Sequence, residues 1–137
     1  MTAVFADTFY WTALTSTGDQ AHRQALDLSH SLKPDRIVTT CDVLDEYLAY
    51  FSGARPSVRQ KAGATVAALL EDTLVQVAPQ NQAMFLAGLE LYRARPDKGY
   101  SLTDCISMVI MRREGLTDIL TNDHHFEQEG FRPLFRV

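Results

Sequence analysis

The chain has 137 residues, 46% hydrophobic and 22% charged, enough to bury one full core without a disulfide or metal staple, which argues against disorder. Its 17 acidic and 13 basic residues give a net charge of -4, which argues against a purely electrostatic nucleic-acid binder but not against a nuclease whose site itself needs carboxylates. Cys41 and Cys105 fit small buried hydrophobes better than a disulfide framework or zinc site, the opening MTAVFADTFYW lacks a basic signal-peptide region, and no run nears ~18 apolar residues, so a cytoplasmic, non-membrane protein is expected.

Ala3-Val4-Phe5-Ala6 predicts a buried strand closed by Asp7. Ala21, Ala25, Leu28 and Leu32 recur at helical spacing from Asp19 onward, and Pro34 stops that helix. Arg36 to Thr40 predicts a second strand, followed by a helix from Thr40 or Cys41 with Val43, Leu44, Tyr47, Leu48 and Phe51 on its apolar side. Residues 52–57 predict a turn, with Ser57 capping a helix over 58–72. A strand is expected at 74–77, an amphipathic helix at 81–95, a loop at 96–100 and a helix at 102–114 ended by Gly115. Ile119-Leu120-Thr121 predicts a short strand, His124 to Glu129 a helical turn or two, and residues 134–137 a strand that closes the sheet. Strands separated by helices predict one α/β domain over 1–137, with a mostly parallel central sheet and helices on both faces.

Ligands of such sheets bind beyond the carboxyl ends of the strands, which makes acids there informative. Asp7 closes the first strand, Asp123 follows the strand at 119–121 within two residues, Asp104 lies in the first turn of the helix opening at Ser101, and Glu46 lies on the helix after the second strand. Right-handed crossovers bring Asp7 and Asp123 to the same edge, where the helix near Ser101 can also present Asp104. Each has an ordinary structural use as well. Asp7 and Asp123 can cap short helices, Asp104 can complete a capping box with Ser101, and Glu46 can be a solvated helix residue, although its face borders the core. Together they suggest more, because clustered carboxylates repel and hold protons unless a cation offsets their charge. Hard oxygen ligands with room for water suit Mg2+ or Mn2+, a combination that activates water against a phosphoryl group.

At these residues the sequence resembles the PIN-domain ribonucleases, and particularly the VapC-type toxins of bacterial toxin–antitoxin pairs. The matching stretches are Val4-Phe5-Ala6-Asp7-Thr8, Val43-Leu44-Asp45-Glu46, Tyr100-Ser101-Leu102-Thr103-Asp104-Cys105-Ile106-Ser107 and Leu120-Thr121-Asn122-Asp123-His124-His125-Phe126, in register from about residue 3 to the C-terminus. The resemblance implies a PIN-like fold and a Mg2+- or Mn2+-dependent endoribonuclease. It implies Asp7 and Asp104 as principal metal ligands, with Glu46 and Asp123 completing the acidic quartet by binding a second ion or orienting water. Ser101 and Thr121 are implied as hydroxyls that hold a carboxylate or the attacking water. It further implies an RNA substrate, a cognate antitoxin and a homodimer.

RNA calls for a basic track, and Arg93, Arg95 and Lys98 are favoured over Arg55, Arg59 and Lys61 or Arg112 and Arg113 because their loop leads into Asp104. Asp97 is expected to be a loop residue. Phe9, Tyr10 and Trp11 beside Asp7 can stack on bases or pack in the core. A zinc reading of His124-His125 is poor, since adjacent helical residues diverge and no further His or Cys sits at ligand spacing. His22 and His30 are expected on the surface, and Met84, Met108 and Met111 in the core. The apolar stripes at 43–51 and at Val66, Leu69 and Leu70 suit burial, a dimer or an antitoxin segment equally. A phosphatase with Asp-x-Asp after the first strand is disfavoured by Asp7-Thr8-Phe9, and a receiver domain by the lack of paired acids there. The main alternative is a non-catalytic PIN-fold module that binds RNA or protein for regulation; a ribonuclease without an antitoxin is a third reading.

Overall fold

The computed structural model describes residues 2–135. Five strands, β1 (Ala3–Ala6), β2 (Arg36–Thr40), β3 (Val75–Ala78), β4 (Asp118–Leu120) and β5 (Arg132–Pro133), form one sheet in the order β3-β2-β1-β4-β5. All pairings are parallel, with Val4 beside Ile37 and Phe5 beside Ile119. The helices are α1 (Thr8–Thr15), α2 (Gln20–Leu32), α3 (Cys41–Tyr50), α4 (Pro56–Glu71), α5 (Gln82–Ala94) and α6 (Leu102–Glu114), and a 3-10 helix spans His124–Glu129. The chain steps outward from β1 to β3 and then crosses back to β4 on the other side of β1. With right-handed crossovers, that reversal puts α1 to α4 on one face and α5 and α6 on the other. It also makes the carboxyl end of β1 beside β4 the topological switch point, where an open α/β sheet leaves a crevice.

The core lies where the strand pattern puts it. Val4, Phe5, Val38 and Ile119 are fully buried, joined by Met108 and Met111 of α6, with Met84 of α5 and Cys105 also buried. Of the two apolar stripes, Val43, Leu44, Tyr47 and Phe51 are buried, whereas Leu48 is 38% and Leu70 57% exposed. Tyr10 and Trp11 pack inside, and the Phe9 ring meets Phe135 edge-on at 4.9 Å, so these aromatics serve the core. His30 is exposed, but His22 is half-buried and its Nδ1 lies 2.8 Å from the Ala13 carbonyl, joining α2 to α1.

Several boundaries differ from the sequence expectation, four of them for a clear local reason. Helix α1 starts directly after Asp7, although Thr-Phe-Tyr-Trp-Thr is a poor helix former; burial of Tyr10, Trp11 and Ala13 overrides propensity. Helix α4 starts at Pro56 rather than Val58, because proline fits the first helical position and Arg55, not Ser57, is the cap. Strand β3 begins one residue later than expected, since the Asp72 carboxylate accepts from the Leu74 N–H at 2.9 Å and holds a turn there. The closing strand is Arg132–Pro133 instead of residues 134–137. Pro133 is tolerated at this edge, and Arg132 is anchored by two hydrogen bonds to Asp118 at 2.8 and 2.9 Å. Arg136 and Val137 lie outside the described residues.

Candidate active site

Asp7 occupies the cap position of α1, yet its carboxylate makes no capping bond to that helix. It turns into the switch point instead. There it is only 7% exposed and accepts a 2.9 Å hydrogen bond from the Thr121 hydroxyl. The same Thr121 oxygen accepts from the Asp123 N–H at 3.2 Å, so one fully buried hydroxyl at the end of β4 fixes both strand-end acids. Thr121 does this by leaving the strand: β4 ends at Leu120.

Asp104 is placed by the capping box expected from Ser101-x-x-Asp104. The Ser101 hydroxyl accepts from the Asp104 N–H and the Asp104 Oδ2 accepts from the Ser101 N–H, both at 3.0 Å. Glu46 comes from α3, whose start is capped by Thr40, and it is exposed towards solvent. The Thr8 hydroxyl donates to Glu46 Oε1 at 2.6 Å, tying α3 to the first residue of α1. Asp123 caps the 3-10 helix by accepting from the His125 N–H at 2.9 Å. Its Oδ1 also lies 3.1 Å from His125 Nδ1.

The acids act on one another. Burial, helped by the charges of Asp104 and Glu46, pushes the Asp7 carboxyl up to about 7 against the Thr8 and Thr121 hydrogen bonds. Burial also raises Asp104, with Asp123 and Glu46 adding to the shift. No Lys or Arg among the described residues forms an ion pair with any of the four acids. Among the described residues, donor atoms of Asp104, Asp123 and His125 all lie within 4.8 Å of one another; Asp7 and Glu46 stand outside that triad but within its electrostatic reach. A carboxylate raised chiefly by burial and further by its acidic neighbours, and left without a basic partner, fits a divalent cation, because the cation would supply the missing charge.

The basic residues divide in two. Arg95 is paired with Glu129, at 2.8 Å, together with Arg112 at 2.7 Å and the Tyr100 hydroxyl at 2.9 Å. Burial alone would raise Glu129, whose side chain is 5% exposed, but the bonds from Arg95, Arg112 and Tyr100 outweigh it and hold the carboxyl at about 2. Arg95 thus braces the fold beside the site. Arg93 is exposed and Lys98 half-buried on the neighbouring surface, and neither makes an ion pair among the described residues. Asp97 is an exposed loop residue. Sequence reasoning missed the bracing roles of Glu129 and Tyr100, and it weighed His125 as a zinc ligand and set that reading aside. The spacing Asp123-x-His125 at the mouth of a tight turn, rather than along a long helix, was the one signal for the last.

A model of the PIN domain matches residues 4–131. The 23S rRNA-specific endonuclease VapC20 of Mycobacterium tuberculosis is 28% identical over 128 residues, covering 93% of this chain and 95% of VapC20, in both the CDC 1551 / Oshkosh and the H37Rv strains. The crystal structure of M. tuberculosis VapC20, a sarcin–ricin loop cleaving toxin, superposes with a TM-score of 0.84 at 27% identity and covers 96% of this chain and 98% of its own. The fold also matches VapBC2 of Rickettsia felis, bound to a DNA fragment from its promoter, with a TM-score of 0.63, 14% identity, and coverage of 93% and 92%. With the model spanning β1 to the end of the 3-10 helix, the chain belongs to the PIN domain family.

Proposed function

We propose that residues 1–137 form a single metal-dependent endoribonuclease domain, the toxin of a VapBC-type toxin–antitoxin pair. The observation that carries this reading is the unneutralised carboxylate group at the sheet's switch point, with Asp7 buried and raised to about 7. Asp7 and Asp104 would hold a Mg2+ or Mn2+ ion, and Glu46 and Asp123 would bind a second ion or orient the attacking water. A divalent ion bound there would activate water and offset charge building on the phosphate. Glu46 would take a proton from that water, a role its exposure and its bond from Thr8 support, with Asp123 as the other candidate. Thr121 and Ser101 position the acids, and Arg93 and Lys98 offer the phosphate backbone a basic approach, with Arg95, between them in sequence, paired to Glu129.

Similarity to VapC20 over nearly the whole chain supports ribosomal RNA as the substrate class, and a hydrolase acting on phosphodiester bonds as the enzyme class. Its partners on this reading are RNA, a cognate antitoxin and a second copy of the chain. The exposed Phe85, Leu86 and Tyr92 of α5 provide apolar surface for such a copy. The reading places the protein in the cytoplasm; no described helix is long and apolar enough to cross a membrane. Incubating the purified protein with ribosomal RNA and tRNA in Mg2+, Mn2+ or EDTA, beside Asp104→Asn, tests it. Cutting that needs the cation and is lost in a folded variant supports the nuclease; binding without any cutting supports the non-catalytic module.

A further inference from the structure

His125 joins Asp104 and Asp123 in a group of potential ligand atoms that lie within 4.8 Å of one another, yet it is not one of the four acids that define the proposed site. Its imidazole is met from two sides: Nδ1 lies 3.1 Å from Asp123 Oδ1, and the Tyr100 ring meets it edge-on at 5.6 Å. Gly99, just before Tyr100, adopts a φ of +74°, which favours glycine. Tyr100 is fixed in turn, buried in the core with its hydroxyl on Glu129 at 2.9 Å, and Glu129 is clamped by Arg95 and Arg112. A half-exposed histidine on a surface turn does not otherwise need so rigid a seat.

The spacing is that of ligands sharing one ion. Two donors bound at about 2.1 Å stand roughly 3 Å apart when cis and just over 4 Å when trans. The 3.1 Å between His125 Nδ1 and Asp123 Oδ1 fits the first, and the 4.8 Å limit that encloses Asp104, Asp123 and His125 leaves room for the second. Two carboxylates and an imidazole are a mixed donor set. Mg2+ takes oxygen ligands in a strict octahedron and gains little from an imidazole, whereas Mn2+ accepts nitrogen and stands on the transition-metal affinity series.

Resting on the reading of the four acids as a metal site, we propose that His125 is its metal-selecting residue, positioned by Tyr100 and Glu129 to add a nitrogen ligand that makes the site prefer Mn2+ to Mg2+. The test is calorimetric titration of the full chain with MnCl2 and, separately, MgCl2, for the wild type, His125→Ala and His125→Asn. The expected result is a wild type that binds Mn2+ more tightly, and variants whose Mn2+ affinity falls about tenfold or more while Mg2+ affinity stays within about threefold. Equal losses for both ions, or no loss in either variant, overturn the role of His125 and leave the acid site standing. A wild type that binds neither ion overturns the metal reading itself, and this inference with it.

Discussion

At the residue scale, Asp7 is where burial and charge meet. Its folded carboxyl sits at about 7 against 3.8 for the ordinary group, so the folded chain holds a proton through that interval which the unfolded chain has released. The sign follows directly: stability from this group is fully present below about pH 4 and is lost as pH rises through 7. Asp7→Asn, which keeps an oxygen for the Thr121 hydroxyl, is expected to melt higher than wild type at pH 7.5 in EDTA, by on the order of 2–4 kcal/mol at most. The gap closes as pH falls towards 4. Calorimetric melting at several pH values checks this, and a variant that melts lower than wild type at pH 7.5 contradicts it. The placement of Asp7, Asp104 and Asp123 was legible from sequence because strand ends and helix starts can be read from local patterns, and that of Glu46 from the helix that follows β2. The protonation of Asp7 was not, because it depends on the Thr121 bond and on Asp104 and Glu46 arriving from distant segments.

At the element scale, Glu129 joins parts of the fold that the sequence leaves separate. It sits at the end of the 3-10 helix and receives Arg95 from just beyond α5, Arg112 from α6 and Tyr100 from the loop that leads to Asp104. Glu129→Gln is expected to cost about 1–3 kcal/mol at pH 7, less than a fully buried pair because both guanidiniums are more than a third exposed. The depressed carboxyl sets the window: the stability is present above about pH 4.5 and is lost as pH falls towards 2, where variant and wild type should melt alike. A variant as stable as wild type at pH 7 would contradict the bracing role. In the sequence Glu129 looked like an ordinary tail residue and Arg95 like a free cation for RNA. Only tertiary contact across 34 residues shows that they neutralise each other. Helix α1 was hidden for a related reason, since its aromatic and β-branched residues favour a helix only once Tyr10 and Trp11 are packed.

At the scale of the whole molecule, the architecture itself was readable. Alternating buried strands and amphipathic segments imply a parallel sheet, and the one reversal in strand order fixes the crevice at β1 and β4. The fold assembles its carboxylates there at a cost in repulsion, which a cation would relieve. Adding Mn2+ at pH 7.5 should therefore raise the melting temperature, with a gain of about 2.7 kcal/mol once the ion stands at a hundred times its Kd. The gain should be smaller at pH 5, where Asp7 keeps its proton and competes with the ion. Scanning calorimetry with and without MnCl2 reads both values, and an equal or larger gain at pH 5 would contradict the assignment.

The most direct test of the central claim is the cleavage rate of ribosomal RNA in Mn2+ by the wild type, Asp7→Asn, Glu46→Gln, Asp104→Asn and Asp123→Asn, each shown to be folded. The account predicts cutting by the wild type that EDTA abolishes, and a fall of about a hundredfold or more when Asp7 or Asp104 loses its charge. Cutting that survives in EDTA, or in both of those variants, would contradict it.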